Sequence, residues 1–203
     1  MWAFGYRPGE AGELWSKIPL DTDIVVTHTP PKYHCDENRE RRSSGCCALR
    51  EALWRVRPRM SICGHVHEGR GVQRVNWDLK SPNCSFKESF TELWDDPGRD
   101  NNKLSLVDLT GKIGTPLRND GAAGDCDPDN STVVEKTAVL GLGMGSLAPS
   151  SRCDIEALSG RTSRVETCVV NAAIMKCSWS HGTKGKFFNK PIVVDIDLPT
   201  WMD

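Results

Sequence analysis

Short apolar runs, bounded by glycine, proline and polar turn residues, recur along the chain and predict β-strands. Five such runs lie at residues 23–27, 60–63, 71–77, 167–174 and 191–196. Between the first two runs, Leu49, Leu53 and Val56 recur at helical spacing and predict a helix over 45–57. Ser44 is its predicted N-cap. Strands that first alternate with a helix and later predominate favour an α/β fold with mixed strand pairing.

The middle of the chain lacks the aromatic side chains that a packed core usually contains. No Phe, Trp or Tyr occurs from 95 to 178, and residues 81–165 hold nine basic and thirteen acidic side chains. Turn-forming residues are frequent in the same stretch, and this composition predicts a solvated, mostly disordered insertion. We therefore expect one core formed by 1–80 and 166–203, interrupted by a long insertion of low order at 81–165.

Composition limits the class of protein. The chain has 203 residues, of which 38% are hydrophobic and 26% charged, as is typical of a soluble globular protein. It contains no apolar run near the roughly 20 residues of a membrane helix and no signal-peptide pattern. A net charge of -1 indicates no nucleic-acid or membrane partner. Nine cysteines, an odd number, favour reduced thiols and predict a cytoplasmic or nuclear location.

Three histidines lie where predicted strands end, which is where open α/β sheets bind ligands. His28 follows the first run, and His65 and His67 follow the second. We expect the conformational freedom of Gly64 to let both rings of the His-x-His pair approach one metal centre. Taken alone, a His-x-His pair more often represents ordinary loop histidines than a metal site. Its place directly after a strand and a glycine favours a metal site.

Several motifs resemble those of a known family, the calcineurin-like metallophosphoesterases. The motifs are VTHTPP at 26–31, RVRP at 55–58 and ICGHVHEG at 62–69, and they resemble the last two metal-binding motifs of that family. The branch most similar is that of the metallophosphoesterase-domain proteins related to the fetal-brain 239 protein. Residues 167–173 and 189–196 are similar to its final strands. The resemblance implies the C-terminal part of an α/β/β/α sandwich with mixed β-sheets.

The resemblance also implies an activity and a set of ligands. His28 and His65 would bind the second of two divalent metal ions, and His67 would bind the first. Imidazole is compatible with Mn, Fe, Zn or Ni, so the residues do not select the ion. In the family, two such ions share a hydroxide that attacks phosphorus, which implies hydrolysis of a phosphomonoester or phosphodiester. The expected partner is therefore a small phosphate ester.

The chain also departs from the family pattern. The upstream motifs Asp-x-His, Gly-Asp-x-x-Asp and Gly-Asn-His do not occur before His28. No catalytic residue is therefore identified, and we expect the metal content to be reduced or absent in this chain. A second hypothesis follows, in which the chain is a truncated, non-catalytic remnant or an interaction protein. It would expose a sheet edge, which favours self-association.

Three other motifs point less clearly to chemistry. The glycines at 141–145 resemble a nucleotide-binding loop but lack the spacing of its third glycine. Residues 125–130 begin like a calcium loop but lack its turn glycine. A third hypothesis is a zinc-dependent binding module, whose candidate ligands would be His34, Cys35, Cys46 and Cys47. Adjacent cysteines lack the gap that lets a chain wrap around a tetrahedral ion.

Overall fold

A mixed five-stranded sheet forms the centre of the computed structural model, which describes residues 5–79, 86–119, 164–176 and 187–198. The strands are β1 (Ile24–Val26), β2 (Met60–Cys63), β3 (Gly71–Trp77), β4 (Glu88–Leu93), β5 (Ser105–Asp108), β6 (Glu166–Asn171) and β7 (Ile192–Asp195). The central sheet has the order β1-β2-β6-β3-β4. Strands β1, β2 and β6 run parallel, and β3 is antiparallel to both β6 and β4. The second sheet pairs β5 with β7 in parallel.

All five predicted strands form, with slightly different bounds, and the chain is an α/β protein with a mixed sheet as the hydrophobic pattern predicts. The predicted helix is α2 (Cys47–Val56), and a shorter helix, α1 (Ala11–Ser16), precedes β1. The prediction of Ser44 as N-cap is wrong, because Cys46 is the N-cap and makes no side-chain capping bond. The Ser44 hydroxyl instead donates to the Arg42 carbonyl over 3.4 Å.

Each face of the central sheet buries its own apolar cluster. On one face, Leu49 and Leu53 of α2 pack with Val75 and Val169 of the sheet. On the other face, a second cluster joins the central sheet to the two-stranded sheet; its buried members are Met60, Val72, Val107, Leu109, Leu117, Cys168 and Val170. The chain is thus arranged as helix, sheet and second sheet, and the site described below lies at an edge of the middle layer.

Residues 86–119 are an ordered part of the fold. The prediction of a disordered insertion is wrong for this stretch, since β4 pairs with β3 and β5 pairs with β7. The aliphatic residues Val107, Leu109 and Leu117 are buried, and half-buried Trp94 packs against the same cluster. Residues 120–163, which include the glycine motif and the calcium-like motif, lie outside the described residues.

A buried carboxylate fixes the end of this stretch. Glu166, only 3% exposed, accepts hydrogen bonds from Arg74 Nη2 at 2.9 Å and from the Arg118 amide at 3.0 Å. Burial would raise the pKa of Glu166, but the hydrogen bonds from Arg118 and Arg74 and their positive charges outweigh it and lower the pKa. Nearby, Asn119 accepts from the amides of Val165 and Glu166 over 3.1 and 2.9 Å. The residues before 120 are therefore attached to the start of β6.

Candidate metal site

Two of the three predicted histidines meet at the edge of the central sheet. Because β1 and β2 are parallel neighbours, with Val26 opposite Ile62, the residues that follow both strands lie on the same side. His65 Nδ1 lies 3.0 Å from His28 Nε2, and the ring centroids are 4.8 Å apart. Both side chains are exposed. The Gly64 amide donates to the His28 carbonyl over 3.1 Å, which joins the two segments directly.

The turn that aims the pair is made by His65 rather than by glycine. His65 has a φ of 62°, whereas Gly64 has no positive φ. The prediction that Gly64 supplies the unusual backbone is therefore wrong. A non-glycine residue in the left-handed region costs on the order of 1–3 kcal/mol, and such residues cluster at functional sites.

The third predicted histidine is not assembled with the first two. His67 is half-buried, and its Nδ1 atom is buried without a hydrogen-bond partner among the described residues. Across residues 5–79, 86–119, 164–176 and 187–198, no three His, Cys, Asp or Glu side chains form a group that could hold a metal ion. The site therefore consists of the pair His28 and His65. His67, two residues further along the chain, has an Nδ1 atom with no hydrogen-bond partner among the described residues.

A buried asparagine connects the segments that carry the histidines. Asn171 is fully buried at the end of β6, and its Nδ2 donates to the carbonyls of Cys35 and Val66, each over 2.8 Å. Its Oδ1 accepts from the Ala173 amide at 3.0 Å. The motifs in the sequence did not indicate Asn171 as part of the site, although it is a polar residue at the end of an otherwise apolar strand.

The electrostatic environment favours neutral imidazole at His65. Partial burial lowers the pKa of His65, and the nearby positive charges of His28 and His67 lower it further. A His whose pKa falls below its usual value near 6.5 is neutral at physiological pH. Neutral imidazole is the form that binds a metal ion, because its unprotonated nitrogen supplies the lone pair.

The spacing of the two rings fits adjacent ligands of one ion. With metal–nitrogen bonds of about 2.1 Å, two ligands at right angles lie about 3.0 Å apart, and tetrahedral ligands lie about 3.4 Å apart. The observed separation of 3.0 Å corresponds to the right-angle arrangement. Without an ion, the same separation is that of a hydrogen bond, with one ring donating and the other accepting. The described residues thus supply part of the ligand set of one metal ion, and they do not supply the ligands of two metal ions.

The candidate zinc ligands have other roles. His34 is buried, and its ring nitrogens lie 3.1 Å from Gln73 Oε1 and 3.0 Å from Glu88 Oε1. Burial raises the pKa of the Cys35 thiol to about 12, so the thiolate that zinc requires is strongly disfavoured. The zinc-module hypothesis therefore has no support in the geometry of these two residues.

A cavity of about 510 Å³ lies elsewhere, between β3, β4 and β5. None of the three histidines lines it. Among its charged residues, Arg74 is already bonded to Glu166, and Asp108 accepts from the hydroxyl of Thr110 at 2.7 Å. The histidine pair is therefore the better candidate for chemistry, despite its open position at the surface.

Comparison with known proteins relates part of the chain to a metallophosphoesterase-type family. This chain is 34% identical over 98 residues to a UPF0046 protein of Caenorhabditis elegans, and the match covers 47% of this chain and 24% of that protein. It is 39% identical over 74 residues to human metallophosphoesterase domain-containing protein 1, covering 35% and 23%. A third match, 46% over 79 residues, is to a probable rhamnogalacturonate lyase C of Emericella nidulans, covering 38% and 7%.

The chain spans less than a quarter of the length of these relatives. No family model matches it, and no solved structure matches it. The partial relatives support a metallophosphoesterase-type family. The lyase match covers 7% of that protein, so the name of that protein is not carried over to this chain. Among the described residues, no helix has the length and apolar character needed to cross a membrane.

Proposed function

We propose that this chain is part of a calcineurin-like metallophosphoesterase that hydrolyses a phosphomonoester or phosphodiester. The observation that carries the proposal is the pairing of His28 and His65 at 3.0 Å, at the ends of two adjacent parallel strands. Partial relatives named as metallophosphoesterase domain-containing proteins support the same class. The substrate would be a small phosphate ester.

In this proposal His28 and His65 hold one divalent ion, and His67, whose Nδ1 has no hydrogen-bond partner among the described residues, is a further candidate ligand. The bound ion would polarise a phosphoryl oxygen and activate water. The chain's own contribution is to present two ring nitrogens at fixed separation. The lowered pKa of His65 keeps that nitrogen available, and the backbone bond from Gly64 to His28 holds the two segments together.

Hydrolysis of bis(4-nitrophenyl) phosphate with added Mn²⁺ tests the proposal. We expect turnover by the chain, limited by its partial ligand set, that disappears with EDTA and is lost in His28→Ala and in His65→Ala, since each removes a ligand. Glu51→Gln, which changes an exposed side chain on α2, is the matched control and should retain full activity. Turnover that survives both histidine substitutions would refute the assignment.

A second candidate is a non-catalytic role, favoured by the lack of a three-ligand group among the described residues. In that case the chain would act through its surface, and β1 is the candidate edge for self-association. Val26 is 71% exposed on this strand, which ends the order of the described sheet. A concentration-dependent dimer in light scattering that Val26→Lys abolishes, with no Mn²⁺-dependent turnover, would favour this candidate. A monomer at all concentrations would exclude self-association through β1.

A further inference from the structure

Asn171 contacts the loop between β2 and β3, which carries His65 and His67. It does so at both ends of the loop and in the middle. Cys63, at the end of β2, and Gly71, at the start of β3, both pair with Asn171 in the central sheet. Between them, the Asn171 side chain donates to the Val66 carbonyl over 2.8 Å. The loop therefore begins, bends and ends against the same residue.

The same side chain also holds the segment that follows His28. Asn171 Nδ2 donates to the Cys35 carbonyl over 2.8 Å, and Cys35 lies in the loop that leads from β1 to α2. This contact is close-packed, because a Cβ atom on Gly69 would lie 2.3 Å from the same carbonyl oxygen. The Asn171 amide group thus links the two histidine-bearing segments, in addition to the hydrogen bond from the Gly64 amide to the His28 carbonyl.

We propose that Asn171 is a positioning residue that sets the separation of His28 and His65. This inference rests on the proposed function, in which the pair holds a metal ion. His65 has an unfavourable φ of 62°, and such a backbone persists only where the surroundings fix it. Groups that orient metal ligands from behind typically contribute about 10–100-fold to metal affinity. Asn171 is well placed to do so because it binds the residue next to His65.

Cobalt binding by the full chain tests the inference. Asn171→Asp keeps the shape of the side chain but removes both donated hydrogen bonds, and its oxygen faces the carbonyls of Cys35 and Val66. We expect the Co²⁺ affinity, measured from the visible absorption of bound cobalt, to fall about 10–100-fold. Asn119→Ala is the matched control, since Asn119 is a buried asparagine bonded to the opposite end of the same strand. It should lower the melting temperature and leave Co²⁺ affinity within about 3-fold.

A second measurement separates this inference from the proposed function. In the metal-free chain, NMR cross-peaks between the rings of His28 and His65 report their proximity directly. We expect these cross-peaks in the wild-type chain and in Asn119→Ala, and their loss in Asn171→Asp. If the wild-type chain binds no Co²⁺ but the cross-peaks are lost in the variant, the metal proposal fails and the positioning role stands.

The inference is overturned if Asn171→Asp retains both the wild-type Co²⁺ affinity and the ring cross-peaks. Should Asn171→Asp not fold, Gly69→Ala supplies the test, because its methyl group displaces the Cys35 carbonyl while Asn171 remains. Reduced affinity and weakened cross-peaks in Gly69→Ala would support the positioning role. Unchanged values in that variant would equally overturn it.

Discussion

Arg50 and Glu88 form a two-point ion pair that joins helix α2 to the outer strand β4. Arg50 Nε lies 2.7 Å from Glu88 Oε1, and Arg50 Nη2 lies 2.9 Å from Glu88 Oε2. The buried ring of His34 contacts the same carboxylate at 3.0 Å and packs edge-on against Trp77. The carboxylate thus unites a loop, a helix and a strand that are remote in the sequence.

This network predicts acid sensitivity. Burial would raise the pKa of Glu88, but hydrogen bonds from His34 and Arg50 and the charge of Arg50 lower it to about 2. Because the folded pKa lies below the unfolded value, the stabilisation is present above about pH 4.5 and is lost as the pH falls towards 2. We expect Glu88→Gln to lose on the order of 3 kcal/mol of stability at pH 7 and much less at pH 3, measured by urea unfolding. Glu92→Gln, an exposed neighbour, should show little change at either pH.

A second prediction concerns two glycines with opposite surroundings. A Cβ at Gly45 would lie 2.6 Å from the backbone of Pro31, whereas a Cβ at Gly12, within α1, meets no atom within 4 Å. We expect Gly45→Ala to destabilise the chain by about 1–3 kcal/mol. Gly12→Ala should stabilise it by about 0.5–1 kcal/mol, since alanine favours helix. Chemical denaturation of both variants checks the pair; equal effects would contradict the described packing.

The strained backbone of His65 gives a third prediction. Glycine adopts a φ of 62° without steric cost, so His65→Gly should raise the free energy of unfolding by roughly 1 kcal/mol while abolishing metal binding. His65→Ala keeps the strain and loses the ring, so it should be no more stable than wild type. Thermal unfolding and Co²⁺ titration of the two variants measure these effects. A less stable His65→Gly would argue against strain at this position.

A fourth prediction tests a buried hydrogen bond in the sheet. Trp77 Nε1 donates to Thr167 Oγ1 over 2.9 Å, and Thr167 is fully buried. Thr167→Val keeps the shape but leaves the indole N–H without its acceptor, so we expect a loss of about 1–3 kcal/mol. Thr167→Ser retains the hydroxyl and should lose less. Equal losses in the two variants would assign the effect to packing rather than to the hydrogen bond.

Local patterns in the sequence predicted the elements that bury their own apolar residues. The apolar run at 60–63 predicted β2, and the spacing of Leu49 and Leu53 predicted α2. Both predictions were possible because the periodicity of apolar residues along the chain shows which face of a strand or helix is buried. The location of His28 and His65 at strand ends also followed from the sequence. The strands β4 and β5 were missed, since their residues are half-exposed or aliphatic within a polar stretch.

The sequence by itself determined the α/β class, the five predicted strands and the candidate histidines. Only the tertiary structure decided that His28 and His65 meet at 3.0 Å while His67 is not assembled with them. It also revealed Asn171, whose amide reaches Cys35 across 136 positions of the chain. The physical reason is that apolar periodicity is local, whereas the partners of a buried polar group are set by strand order and loop path.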